Sequence, residues 1–308
     1  MLLIIGEAFY RGIIQMRLII NIIGLSFLLT VFATRLEERV FGVAVDKGKI
    51  TYKEIDEASG LVCGMNNEHF FWTHNDSGDK ARVFLLDSAA HHKATYYLEG
   101  VEARDWEDMA AMQEGNKNYL LVGDIGDNLG NHSNIKIHRF EEPRFDGGHL
   151  HIDTIPAAAI RTYTLKYEDG PRDAESLFFD PIDRKIYIIS KRDLKVGVYE
   201  GSLPEKATDT ILLKRKIAIP YTFITSADIS ANGREVVIKN LLNIYYWKRK
   251  DGESIPQMFK REGLMQPYNA EPQGEAITFA RDGSGYYTTS ERPFGLPAHI
   301  YFYPRIVE

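Results

Sequence analysis

Acidic residues recur along this sequence in similar short contexts. Glu107 follows Trp106, Glu175 follows Ala174 and Glu275 follows Gly274, each at the head of a β-rich apolar stretch. Asp108 and Asp228 stand one residue further on in their segments. A second polar set lies where later apolar runs end: Thr73-His74-Asn75-Asp76-Ser77-Gly78, Gly123-Asp124-Ile125-Gly126-Asp127-Asn128, Ser190-Lys191-Arg192-Asp193, Lys239-Asn240 and Ser290-Glu291-Arg292. Glutamates brought close together repel unless a cation, an arginine or a proton compensates them. Two readings follow. Glu107, Glu175 and Glu275 can hold a divalent cation, and oxygen donors with no cysteine and little histidine suit Ca²⁺ or Mg²⁺ over zinc. Alternatively, Lys191, Arg192, Lys239 and Arg292 pair with the same carboxylates and simply fix the fold.

Asp124, Asp127 and Asn128 form a second candidate Ca²⁺ loop. They lack the spacing and terminal Glu of an EF-hand, and the same residue types serve any tight loop. His74 beside Asp76 is a candidate general base, or else an ordinary hydrogen-bonded loop histidine. There is no G-x-S-x-G elbow, H-E-x-x-H pair or Walker loop.

The elements that must position these groups repeat. Five segments with markers at positions 59, 107, 175, 227 and 275, spaced 48, 68, 52 and 48 residues apart, each run through a turn-rich stretch into an apolar strand. A third strand follows in every unit. A fourth is readable in the first four, as Ala94–Tyr97, Ile160–Tyr163, Thr210–Leu213 and Gln257–Phe259. The last unit lacks one, and Val40–Val45 can fill its place. The expected fold is therefore all-β: a β-propeller of five four-stranded blades, its ring closed by an N-terminal strand, with six blades as the alternative. The long second gap fits a polar insertion around Glu141 to Asp153. In a propeller the start of each innermost strand and the loop between the second and third strands lie on one face, so both polar sets meet at one mouth of the channel. Ala227 stands where three other units carry glutamate.

The chain has 308 residues, a net charge of −6 and no basic run, which excludes an ordinary nucleic-acid binder. Residues 1–33 have the build of a signal peptide: Met16-Arg17, an apolar run from Leu18 to Ala33 and small residues before an abrupt polar stretch. An uncleaved N-terminal anchor is the alternative. Residues 34–308 are then a single domain, secreted or periplasmic, or else membrane-anchored outside the cytoplasm. A monomer is expected, touching membrane only through an uncleaved leader. One cysteine, Cys63, allows no internal disulfide and reads as a core residue.

The sequence resembles the secreted propeller proteins related to the phytase-like esterases and the gluconolactonase and strictosidine-synthase group. The resemblance rests on Ala58-Ser59-Gly60-Leu61 with Trp72–Gly78, Asp105-Trp106-Glu107-Asp108-Met109 with Gly123–Asn128, Asp173-Ala174-Glu175-Ser176-Leu177, and Gly274-Glu275-Ala276-Ile277 with Ser290-Glu291-Arg292. It implies a divalent cation at the channel mouth, held by Glu107, Glu175 and Glu275, that binds or polarises a phosphate or lactone. The expected activity is metal-dependent hydrolysis of an ester, lactone or phosphoester. Water would be activated at the cation or by His74, and Lys191, Arg192 or Arg292 would steady an anionic group. The alternative is a non-catalytic propeller that binds a small-molecule or envelope ligand or a protein partner.

Overall fold

The computed structural model describes residues 39–206 and 209–306. The expected leader, residues 1–33, lies outside them. No helix among the described residues is long and apolar enough to cross a membrane.

The protein is all-β, with 50% of the described residues in strands and 4% in helix. After β1 (Val45–Lys49) comes an antiparallel run of β2 (Ala58–Cys63), β3 (Phe71–Asn75), β4 (Arg82–Leu86) and β5 (His92–Leu98). The second run comprises β6 (Trp106–Glu114), β7 (Lys117–Asp124), β8 (Ile135–Glu141) and, beyond β9 (His151–Ile155), β10 (Arg161–Tyr167). The third takes β11 (Ala174–Asp180), β12 (Lys185–Ser190), β13 (Val196–Gly201) and β14 (Ile211–Ile219), and the fourth β15 (Ile224–Ile229), β16 (Glu235–Asn240), β17 (Ile244–Lys248) and β18 (Leu264–Gln266). The last run is β19 (Gly274–Phe279), β20 (Gly285–Ser290) and β21 (His299–Pro304), and β1 adds to its outer edge.

These segments form strands because β-branched and aromatic residues crowd them, bounded by residues that reverse the chain. The β6–β7 hairpin turns at Gly115 (φ 58°), a left-handed conformation that glycine adopts without a Cβ clash.

The first strands pack around a common centre. β2 touches β6, β6 touches β11, β11 touches β15, β15 touches β19, and β19 returns to β2. Apolar clusters fill the spaces between adjacent runs, for example Leu177, Ile186 and Ile188 against Ala110, Leu121 and Ile137. Buried polar groups tie the first strands together. The Asp108 carboxylate on β6 accepts from Leu177 N on β11 (3.0 Å) and from Ser226 Oγ on β15 (3.2 Å). Ser226 Oγ in turn accepts from Ile277 N on β19 (3.2 Å). Burial, with a smaller push from Asp228, drives the Asp108 carboxyl well up, and backbone N–H donors from separate strands pull against it.

Three expectations need adjustment. The segment Gln257–Phe259 is not a strand: Ile255–Met258 is a short helix, α1, opened by a Ser254–Gln257 capping box, and the fourth strand of that run is β18. The strand that completes the last run is β1 at Val45–Lys49, a few residues later than Val40–Val45, with only a bridge at Phe41 to Arg305 before it. The polar insertion ends in β9, which adds parallel to β5 as a fifth strand of the first sheet.

Candidate functional site

Every first strand is irregular at the same place. The register to its partner shifts between Trp106 and Asp108, between Ala174 and Ser176, between Ile224 and Ser226, and between Gly274 and Ala276, and in β2 between Ala58 and Leu61. The extra residue in each bulge is therefore Glu107, Glu175, Thr225 and Glu275, with Ser59-Gly60 in β2. A bulge bends its strand and re-aims a side chain, which is why bulges gather beside functional sites. The register also corrects the sequence alignment of the fourth repeat: Thr225, not Ala227, is the counterpart of the three glutamates.

Glu107, Glu175 and Glu275 meet. Each offers a carboxylate oxygen, and these oxygens lie within 4.8 Å of one another, all three residues being buried. Two further groups overlap this one under the same limit: Asp76 with Asp105 and Glu107, and Asp76 with Glu275 and Glu291. Asp76 and Glu291 are the first residues after β3 and β20, so strand starts and strand exits do converge.

At such separations each unit-charge pair repels by roughly 3 kcal/mol at an effective dielectric near 20. Among the described residues, Lys191 is the one cation ion-paired to a member of these groups, through Glu175. A single ammonium cannot balance six carboxylates, so protons or a further cation must. Burial pushes Glu107 well up, aided by Asp76 and Asp105. Burial also raises Asp76 to about 7 and, with the neighbouring Glu275, Glu291 to about 9. Glu107 Oε2 and Glu175 Oε2 are buried with no hydrogen-bond partner among the described residues. Orphaned hard oxygens without cysteine or histidine fit a Ca²⁺- or Mg²⁺-type ion. These buried acidic clusters could hold a metal ion.

The other expected site residues fall elsewhere. His74 is fully buried, its Nδ1 2.8 Å from the Asn75 carbonyl and its ring edge-on to Trp106. Burial pushes it down to about 4, so the imidazole is neutral and belongs to none of the clusters. Asp124 pairs with Arg104 at 3.1 Å, and burial raises its carboxyl. Asp127 accepts from Asn131 N and His132 N, both at 2.8 Å, and so shapes its own loop. Asn128 accepts from Arg192, whose Nε also meets Asp173 at 2.7 Å. Asp124, Asp127 and Asn128 thus each have protein partners of their own. The Arg292 guanidinium donates to the carbonyls of Tyr52 (3.3 Å) and Ile55 (3.4 Å), holding the segment ahead of β2.

Sequence reasoning singled out neither Asp105 nor Glu291 as a ligand. Their position in the repeat was the available signal: Asp105 immediately precedes β6, and Glu291 is the counterpart of Lys191 and Asp76. It also missed Gly126. A Cβ there would overlap Glu107 Oε1 and the Asp105 carboxyl, so this glycine lets the backbone pass beside the cluster. Behind Glu275, the buried Lys239 donates to the Gly274 carbonyl and lies 4.8 Å from the Tyr268 ring. No protein-family model and no curated protein matches the chain.

Proposed function

We propose that the chain is a five-bladed β-propeller, exported from the cytoplasm, that holds Ca²⁺ at one end of its axis and hydrolyses an ester, lactone or phosphoester there. The blade reading is supported by five four-stranded runs whose first strands touch cyclically, and by β1 completing the last of them. The likeness to the secreted esterase and lactonase propellers stays part of this proposal.

The observation that carries the chemistry is the meeting of Glu107, Glu175 and Glu275 with unpartnered buried oxygens on two of them. Glu107, Glu175 and Glu275 would hold the cation, which when bound supplies positive charge to polarise a carbonyl or phosphoryl group. Asp76, half-buried, reaches the same glutamates whereas His74 is fully buried away from them, so Asp76 suits the general base better than His74 does. It would take the proton from the attacking water. Lys191, paired with Glu175 at the edge of the cluster, would steady an anionic substrate group.

The test is metal analysis of the purified protein together with a Glu107→Gln/Glu175→Gln variant on a lactone and phosphoester panel. Bound calcium, and turnover reduced about a hundredfold or more in the variant, are expected. Metal-free protein and unchanged turnover would sink the reading. A second reading is favoured by the engagement of Arg192 and Arg292 in structural bonds, which leaves few groups to grip a substrate. In it the cation only braces a ligand-binding propeller, and calcium raises the melting temperature without turnover of any substrate.

A further inference from the structure

Two of the five bulges carry no glutamate: Ser59-Gly60 in β2 and Thr225 in β15. The Ser59 and Thr225 side chains are buried. Ser59 Oγ donates to the Glu107 carbonyl on β6 (2.5 Å), and Thr225 Oγ1 donates to the Gly274 carbonyl on β19 (3.1 Å). Each hydroxyl thus crosses to the first strand of the next run and lands on a glutamate-bearing bulge.

These bonds meet a need that bulges create. The extra residue of a bulge drops out of the ladder, so the peptide groups beside it must find partners elsewhere. The Glu107 carbonyl belongs to the extra residue of β6, and the Gly274 carbonyl to the peptide that leads into Glu275. Fixing either peptide plane fixes the direction in which its glutamate leaves the backbone. Glu175, the third glutamate, is held at its side chain by Lys191 instead.

The fourth run adds a charge. The residue after each bulge faces Gly123, Ile189 and Thr289 in the glutamate-bearing runs and Thr73 in the first, but Lys239 in the fourth. Lys239 is fully buried, donates to the same Gly274 carbonyl as Thr225, and feels the charges of Glu271 and Glu275. A Cβ at Gly274 would overlap Lys239 Nζ and Tyr268 Oη, so the glycine admits the ammonium.

We propose that Ser59, Thr225 and Lys239 are positioning residues of the cation site. Each holds the backbone at a glutamate of the next run, so that the Glu107 and Glu275 oxygens meet that of Glu175. This role presupposes a cation at the three glutamates, but not hydrolysis. Groups that orient metal ligands are typically worth about 10–100-fold in metal affinity.

Calorimetry of calcium binding to full-length Ser59→Ala and Thr225→Val, well below each variant's melting midpoint, tests the role. Thr278→Val is the comparison: it deletes another buried hydroxyl between β19 and β15, one that donates to Asp228 (3.0 Å) away from the glutamate bulges. Calcium should bind about tenfold or more weakly to the first two. Thr278→Val should keep wild-type affinity however far its melting temperature falls. Lys239→Met/Glu271→Gln, which removes one charge of each sign, should weaken calcium at least as much as Thr225→Val. Wild-type affinity in both Ser59→Ala and Thr225→Val, or an equal loss in Thr278→Val, would overturn the positioning role and leave the calcium site standing. A wild-type protein that binds no calcium would remove the cation and this role with it.

Discussion

At the scale of single residues, the site is a contest between protons and a cation. With no metal, Asp76 at about 7, Glu291 at about 9 and the strongly raised Glu107 hold protons that carboxylates in water would release. A cation must displace them, so its affinity should climb with pH across this range, by about tenfold per unit for each proton displaced. Calorimetry in buffers of different ionisation enthalpy should show proton release on calcium addition at pH 7.5, reduced in Glu291→Gln. A pH-independent affinity would contradict the protonation described above. The residue scale is also where the sequence was least legible. His74 and Asp76 look like a pair in the sequence, yet β3 ends at Asn75, so His74 stays within the strand in the core and Asp76, past its end, reaches the cluster.

Among the elements, the bulges and hairpin loops carry the specificity. Gly126→Ala puts a methyl group against the Glu107 and Asp105 carboxyls. Stability should fall by about 1–3 kcal/mol, and calcium-dependent stabilisation should be lost. A variant that still gains melting temperature with calcium would show that the cluster tolerates the shift. Glu142 is a different kind of anchor. Its buried carboxylate accepts from Met65 N, Asn66 N, the Asn67 amide and Trp72 Nε1 (2.8 Å), fastening the β2–β3 hairpin to the segment after β8. Glu142→Ala strands several donors and should cost about 2–5 kcal/mol in chemical denaturation, whereas a loss below 1 kcal/mol would mean water replaces the carboxylate. The strands themselves were legible because each repeat spells out the same alternation between turn residues. The exact register was not. A bulge adds one residue with no compositional mark, so the fourth repeat aligned on Ala227 when its bulge is Thr225. Likewise Gln257–Phe259 reads as a strand, but the Ser254 cap with a proline in the first turn makes it helical.

For the whole molecule, closure and pH set the stability. Phe41 is fully buried against Tyr246, Tyr286 and the Arg305 guanidinium, where the last run meets the fourth. Phe41→Ala should cost about 3–5 kcal/mol, measured by urea unfolding, and a neutral result would show that closure does not depend on this contact. The cluster imposes a pH dependence of definite sign. Asp76, Glu107 and Glu291 are raised in the folded state, so between about 4 and 9 they hold protons that the unfolded chain releases. Buried His74 and His138, both pushed down to about 4, offset that excess in part only below 6.5. The metal-free protein must then lose stability as pH rises through that window. Its melting temperature should fall by several degrees or more from pH 5 to pH 9, and calcium should restore most of that fall at the alkaline end. A flat profile would mean the carboxylates are already neutralised.

The parallel pairing of β10 with β14, at Leu165–Ile211 through Tyr167–Leu213, makes one continuous eight-stranded sheet out of the second and third runs. The first run is tied to the second by the ladder of β9 on β5, and described backbone ladders bridge no other neighbouring runs. A structure of nominally equal segments therefore has two seams held by backbone ladders and others that rely on side-chain packing. Under denaturant or mechanical load it should crack along a packed seam, while the amides of β10 and β14 exchange with deuterium only in the last, global opening.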